Sequence, residues 1–462
     1  MNSWNSTFGV TEIRPRHRAF HFVSTSLSGH RLELRYALAG GPDADIAFCE
    51  VLDLPETLPA PDPGDPAVQA LVRACHLSFG VSYYKAALPA EIWVAGLGPR
   101  EAGFWDLLYS DGLGEFYFRN DLPIPGEAGF QAAARAPDPA QPRQQASRPE
   151  RALVLIGGGK DSGLVADLVR ASGIPAEALS LGESPWMERS ARAAGLRLHS
   201  IHRRIDPVLL ELNARGAWNG HVPISACIAA AATLVAHAGG FTDVLVGNER
   251  GADDANLVWQ GHPVNHQWSK SSRFEAAFQD WCADHIGTQP RYASVLRPLS
   301  EIRIAERFAR CTSQHAEFTS CNRNFRQDPA QRPRRWCGEC AKCTFVALIL
   351  APHLDACAEH TIFERDILGA PRNRHHLEAL LGLRDVKPWD CVGTTRECWL
   401  SLLALSHQGR VPAHLSDLVT RAPAELAGSL FKAAWDAEYT SHPAERLPAH
   451  WRARLDAYLA VD

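Results

Sequence analysis

The stretch LVLIGGGKDSGLVADLV, Leu153 to Val169, decides how the middle of this chain is read. Apolar residues Leu153 to Ile156 run into Gly157, Gly158 and Gly159, then into Lys160, Asp161 and Ser162, and from there into apolar positions at helical spacing. A strand that ends in glycines can turn sharply and bring its backbone close to a ligand, because glycine accepts positive φ. Asp161 and Ser162 stand at the start of the following helix, where unpaired amides and a hydroxyl can hold phosphate oxygens. Lys160 adds positive charge, and Asp161 can orient a magnesium ion. The dinucleotide pattern Gly-x-Gly-x-x-Gly fails here, and so does the pattern that ends in Gly-Lys-Ser/Thr. A simple strand-to-helix turn, with Asp-Ser as a cap, also fits these residues.

Around this turn the chain alternates short apolar strands with helices. ALVLI, EALSL, LRLHSI and DVLVG read as strands, and KDSGLVADLVRAS, PWMERSARAAG and PISACIAAAATLVAHA as the helices between them. That alternation predicts an α/β fold, a doubly wound parallel sheet covered on both faces. The N-terminal part differs. AFHFVSTSL and RLELRYAL have strand patterning, and helical patterns follow at AVQALVRACHLSFGVSYYKAAL and PREAGFWDLLYSDG, which predicts an α+β domain over residues 1–132. A Pro-, Ala-, Gln- and Arg-rich stretch over 133–150 reads as a linker. The α/β domain spans 151–355, and a mainly helical region, with RHHLEALLGL and ECWLSLLALSHQG, spans 356–462.

Composition narrows the function classes. The formal net charge of −5 gives the chain as a whole no electrostatic reason to seek nucleic acid or an anionic membrane. The N-terminal residues lack the apolar core of a signal peptide, and the longest apolar run is mostly Ala and is interrupted by Ser225, Thr233 and His237. A cytoplasmic protein is expected. Of the 12 cysteines, Cys321, Cys337, Cys340 and Cys343 cluster, the last three as C-x2-C-x2-C. In a reducing compartment such spacing favours a closed tetrahedral zinc site with a structural role, reduced unligated cysteines being the plainer alternative. Between them lie Arg323, Arg326, Arg332, Arg334 and Arg335. These are either a solvated loop or a grip on phosphates.

The glycine turn resembles the S-G-G-x-D-S loop of ATPases that cleave ATP between the α and β phosphates, the PP-loop ATP pyrophosphatases. Gly158, Gly159, Asp161 and Ser162 match it, and Gly157 stands where the loop has its first serine. A similar cysteine set occurs in the 7-cyano-7-deazaguanine synthases, which carry the same loop. The resemblance implies a PP-loop (HUP-like) sheet and ATP as substrate, with AMP and pyrophosphate as products.

Three further polar stretches fall at or near strand ends of the same domain: LNARGAWNGHVPISA (Leu212–Ala226), VGNERGADDAN (Val246–Asn256) and NHQWSKSSRFEAAF (Asn265–Phe278). They carry Asn219 and His221, then Asn248, Glu249 and Arg250, then Asn265, His266, Ser269 and Lys270. Singly each is an ordinary satisfied polar residue; as a set on loops of one domain they point to function. GGGKDS, NGHVP, GNER and NHQWSKSSRFE together resemble the MurL family of UDP-N-acetylmuramoyl-L-alanyl-L-glutamate epimerases, and GVSYYK, GLGEFYFRND and KPWDCVG extend the likeness over most of the chain.

That resemblance implies inversion of the terminal L-glutamate of a UDP-muramoyl dipeptide during peptidoglycan precursor synthesis. An N-acylated glutamate cannot form a Schiff base, and its ionised carboxylate makes the α-proton hard to remove. Adenylylation by ATP and Mg2+ turns that carboxylate into a mixed anhydride, whose enolate is accessible. Gly157, Gly158, Gly159, Lys160, Asp161 and Ser162 are then the expected ATP-binding residues, with His221, His266, Lys270 and Asp161 as catalytic candidates. Asn219, Asn248, Glu249, Arg250, Asn265 and Ser269 are the expected substrate ligands, joined by Tyr83 and Lys85 from the N-terminal domain. Two other readings stay open: another adenylating enzyme, such as a deazaguanine synthase or a tRNA-modifying enzyme, and a non-catalytic module that binds zinc and nucleotide. The tRNA version calls for a basic surface, against the net charge of −5.

Overall fold

The computed structural model describes residues 16–131, 148–326, 329–384 and 386–461. Most of the stretch read as a linker, residues 132–147, lies outside them.

The N-terminal segment opens with three antiparallel strands, β1 (Ala19–Ser28), β2 (Arg31–Ala39) and β3 (Ile46–Asp53). The period-two alternation of RLELRYAL buries Leu32, Leu34, Tyr36 and Leu38 on one face. Helix α1 (Pro66–Phe79) starts at an Asp65 cap, and the short α2 (Val81–Tyr84) follows Gly80, so the long helical pattern breaks there. Then come β4 (Glu91–Trp93), α3 (Pro99–Tyr109), α4 (Gly114–Arg119) and β5 (Phe130–Gln131).

The alternating segment follows: β6 (Ala152–Leu155), α5 (Lys160–Ala171), β7 (Ala176–Leu181), α6 (Pro185–Ala193), β8 (Leu198–Arg204), α7 (Pro207–Ala214), α8 (Ile224–Gly239) and β9 (Asp243–Val246). A small hairpin, β10 (Leu257–Trp259) and β11 (His262–Val264), precedes α9 (Ser272–His285), β12 (Arg291–Ser294), α10 (Glu301–Arg310) and α11 (Ala341–Leu350). Beyond α11 the described residues are helical, with no further strand.

The protein is therefore α/β, with a largely parallel sheet and a helical C-terminal region. Ten strands form one sheet in the order β12-β9-β6-β7-β8-β3-β2-β1-β4-β5. The five from β12 to β8 are mutually parallel, and their order, with β6 central and successive strands added outward on both sides, is the doubly wound one. The antiparallel N-terminal strands join the same sheet through β3 and β8, where Leu52 faces Arg203. Glu50, fully buried, receives the Arg203 guanidinium at 2.5 Å beside that seam.

Each face carries its own core. On one, Leu153, Val244 and Val246 pack with α1, α8, α9 and the N-terminal aromatic residues. On the other, Ala152, Val154, Ile156 and Leu245 pack with α5, α10, α11 and the C-terminal helices. Alternation along β6 and β9 produces this division. Among the described residues, no helix is long and apolar enough to cross a membrane.

Candidate functional site

Strand β6 lies between β7 and β9, so the chain leaves it on one side and returns on the other. In an open α/β sheet, ligands bind in the crevice that forms at the strand ends there. Gly157–Gly159 follow β6, and Gly247 to Glu249 follow β9. Gly158 has φ +79°, and a Cβ on it would lie 3.2 Å from the backbone of Trp186 and Met187. Gly159 precedes the first turn of α5 against Ser320, whereas a Cβ on Gly157 would meet nothing within 4 Å. The place where the pyrophosphate loop carries a serine is open space.

Three carboxylates converge beside this turn. Asp161 comes from the first turn of α5, Glu249 from the loop after β9 and Glu301 from the start of α10; their ligand oxygens lie within 4.8 Å of one another. Such a set fits a hard divalent cation. Lys160 belongs to the same cluster: its fully buried ammonium is bonded to both Asp161 and Glu301. Burial raises the Glu301 carboxyl to about 8, against the pull of Lys160. The Ser162 hydroxyl donates back to the Gly159 carbonyl at 3.1 Å.

A second group of charges adjoins the first. Lys270 stands next to β9's loop, and its Nζ donates to Cys391 Sγ at 3.1 Å. The Lys342 ammonium donates to the Cys391 carbonyl. Against burial, Lys160 most strongly holds Asp161 in its charged form, and Lys342 and Lys270 add to it, which ties the two groups together. The His266 ring bonds to Cys391 on one side and to Glu115 on the other. His221 Nδ1 lies 3.2 Å from the same Glu115 carboxylate, and the two histidine rings are 4.8 Å apart. Lys85, from the N-terminal segment, donates to Asn219 Oδ1 at 2.7 Å and to the Gly220 carbonyl at 3.0 Å, fixing the NGHVP loop.

The two imidazoles have opposite character. Burial pushes His266 down, but its bonds to Cys391 and Glu115 outweigh that and raise it to about 10. Burial and the neighbouring His266 charge lower His221 to about 4. Burial raises the Cys391 thiol, yet Lys270, His266 and Lys342 bring it down to about 6. At neutral pH the site thus holds a thiolate, an imidazolium and a neutral imidazole side by side.

The structure does not bring every expected residue here. Tyr83 is buried in the N-terminal core, stacked on Tyr36, with its hydroxyl accepting from the Asp206 amide at 3.1 Å. Arg250 pairs with Glu438 at 2.8 Å and anchors the C-terminal helices. Asn265 shapes its own loop, donating to the Ala252 carbonyl at 2.8 Å. Asn248 and Ser269 are buried but adjoin Glu249 and Lys270, so they stay beside the site. Arg335 is buried and donates to the carbonyls of Phe318 and Thr361, so it holds the cysteine loop together from inside.

Cys321, Cys337, Cys340 and Cys343 place their sulfurs within 4.8 Å of one another, with Cys340–Cys343 at 3.4 Å and Cys337–Cys343 at 3.7 Å. Zn–S bonds of ~2.3 Å in a tetrahedron put sulfurs about 3.8 Å apart, whereas a disulfide needs ~2.05 Å. The donor set fits a structural zinc and not a disulfide. Cys340 also caps α11, the helix that carries Lys342.

Comparison with known families settles the kinship. The MurL N-terminal domain matches residues 11–295, and the MurL C-terminal domain matches residues 317–430. The chain belongs to the MurL family. A relative from Micromonospora sp. is 38% identical over 432 residues, covering 92% of this chain and 93% of its own. A second, from Xanthomonas oryzae pv. oryzae, is 39% identical over 342 residues, 74% of this chain and 75% of its own. A third, from Salinispora tropica, is 37% identical over 396 residues, 84% of this chain and 85% of its own. All three bear the name UDP-N-acetyl-alpha-D-muramoyl-L-alanyl-L-glutamate epimerase.

Both MurL domains build the site. Glu115, Asp161, His221, Glu249, His266 and Lys270 come from the first; Lys342, Cys391 and the cysteine quartet come from the second. Sequence reading singled out neither Glu115, Glu301, Lys342 nor Cys391. Glu115 and Cys391 sit inside GLGEFYFRND and KPWDCVG, two of the stretches that carry the family likeness, so position in those stretches is the signal that could have found them.

Proposed function

We propose that this protein inverts the terminal L-glutamate of UDP-N-acetylmuramoyl-L-alanyl-L-glutamate to the D-isomer, using ATP and Mg2+, through an acyl-adenylate and with release of AMP and pyrophosphate. The observation that carries this reading is the adjacency of a phosphate-type glycine turn with its three carboxylates and a proton-transfer set of thiolate, imidazolium and imidazole. The names of the MurL relatives support the substrate and the inversion. The doubly wound strand order and the GGGKDS turn support a PP-loop ATP pyrophosphatase fold for the parallel half of the sheet. A nucleotide-linked precursor and ATP both belong to the cytoplasm.

Asp161, Glu249 and Glu301 are the residues that would hold Mg2+, whose chemistry there is to neutralise phosphate oxygens. The backbone of Gly157–Gly159 and the first amides of α5 bind the phosphates of ATP. Lys270, beside Asp161 and facing the thiol, orients the glutamyl carboxylate toward the nucleotide. Lys85 keeps Asn219 and the NGHVP loop against the substrate. Glu115 holds His266 charged and keeps His221 close, so that a proton can be given up and accepted on neighbouring atoms. The cysteine quartet would hold zinc and give the second MurL domain a rigid edge.

The test is direct. The protein is incubated with ATP, Mg2+ and the UDP-muramoyl dipeptide in deuterium oxide, and nucleotides and glutamate stereochemistry are resolved. AMP, pyrophosphate and D-glutamate carrying α-deuterium are expected. ADP as product, or inversion without ATP, would overturn the reading.

A further inference from the structure

Cys391 belongs to the proton-transfer set but has been given no step of its own, yet three residues from two segments of the chain meet it. Lys270 reaches the sulfur at 3.1 Å, the His266 ring hydrogen-bonds it, and Lys342 bonds its backbone carbonyl. Asp390 precedes it, and Glu115 stands behind His266. The residue is half-buried, unlike the fully buried thiols elsewhere. The buried cysteines elsewhere contrast with this one: Cys227 and Cys311 are pushed up to about 12 by burial, as inert thiols are. Two ammonium groups and an imidazolium around one sulfur are not needed for packing.

We propose that Cys391 is a catalytic acid–base residue of the inversion, its thiolate taking the α-proton of the activated glutamyl residue. This rests on the epimerase reading above. Inversion demands that the new proton arrive on the face opposite the one vacated, so two groups must act. Cys391 and His266 are in complementary protonation states. The C–H electron pair moves into the enolate of the mixed anhydride while the proton bonds to sulfur; the enolate carbon then takes a proton from the His266 imidazolium. That leaves a thiol and a neutral imidazole. With the α-carbon lying between the two groups their hydrogen bond is open; when product leaves it re-forms, returns the proton from sulfur to nitrogen and restores the starting pair, with no net consumption of either. Lys270 and Lys342 stabilise the thiolate form between cycles.

The full-length protein and its Cys391→Ser and Cys391→Ala variants are compared with ATP, Mg2+ and the UDP-muramoyl dipeptide. Pyrophosphate release in the first turnover should stay within a few-fold of the parent in both variants. Inversion and α-deuterium uptake should fall by at least ~100-fold, the scale of a lost acid–base group. Independently of substrate, iodoacetamide labelling of Cys391, mapped by peptide mass spectrometry, should rise through about pH 6. Lys270→Met should move that rise upward. Serine or alanine variants that invert at near the parent rate overturn the proposal, and so does loss of pyrophosphate release together with inversion in a folded variant, which would make the thiol a binding group. Labelling that rises only near the free-thiol range of ~8.5 overturns it as well. A parent protein that inverts without forming AMP fails the epimerase mechanism above, and is told apart from these outcomes by its nucleotide products.

Discussion

Single residues at the centre of this site do unequal work, and their surroundings say which. Asp161 faces two neighbouring carboxylates and feels Lys160, Lys270 and Lys342. Asp161→Asn is expected to lower AMP and pyrophosphate formation by at least ~100-fold, since charge placed on a reacting phosphate is of that worth. The variant should stay folded, because Glu301 still pairs with the buried Lys160. Thermal denaturation alongside the nucleotide assay checks both halves. The pH dependence has a definite sign. Thiolate at Cys391 is gained as pH rises through about 6, and imidazolium at His266 is lost as pH rises through about 10. With Mg2+ saturating, so that Glu301 stays ionised, the inversion rate kcat/KM should climb on the acid side and fall on the alkaline side of a plateau, and His221, lowered to about 4, should contribute no limb between them. His266→Asn should remove the alkaline limb; if that limb persists, another group sets it.

At the scale of elements, the cysteine loop and α11 act as one piece. Cys340 belongs to the quartet and caps α11, and Lys342 projects from the first turn of that helix to the Cys391 carbonyl. Elemental analysis of the parent should give one tightly bound zinc per chain, and Cys340→Ser should lose it, reduce the thermal midpoint, and slow inversion because Lys342 is no longer held in place. Retained metal with unchanged stability would contradict this. Elements of this kind were well marked in the sequence. The strand–glycine–helix unit at 153–169, the alternation after it and the cysteine spacing each rest on local periodicity or spacing, which a sequence displays directly. The strand β3 and its pairing with β8 were not marked, because the pairing joins residues 51 and 204 and leaves no local pattern. The site was legible in the same uneven way. His221, His266, Lys270 and Asp161 were visible as polar residues on loops, whereas Cys391 acquires its character only from Lys270, His266 and Lys342 arriving from elsewhere. Tyr83, a reactive type by name, is in fact part of an aromatic core.

For the whole molecule, the decisive feature is that the antiparallel and parallel halves share one sheet and one of the two cores. If a protease site is engineered between residues 132 and 147 and cut, the two fragments should stay together on a sizing column in the absence of denaturant. Glu50→Ala tests the seam. It leaves the Arg203 guanidinium buried without its carboxylate, a loss of ~3–5 kcal/mol by the usual cost of breaking a buried pair, read as a lower urea midpoint. Unchanged stability would mean that water reaches the seam.

The gathering of Glu115, Asp161, His266, Lys342 and Cys391 also has a bearing on synthesis of the chain. A ribosome finishes the glycine turn long before it delivers the lysine and the thiol, and domains fold as they emerge. A half-made chain holds the turn proposed to bind ATP but none of the second domain's contribution to using it. The proposed centre therefore cannot be assembled until residue 391 has been made, and a chain interrupted before that point lacks the groups assigned to inversion.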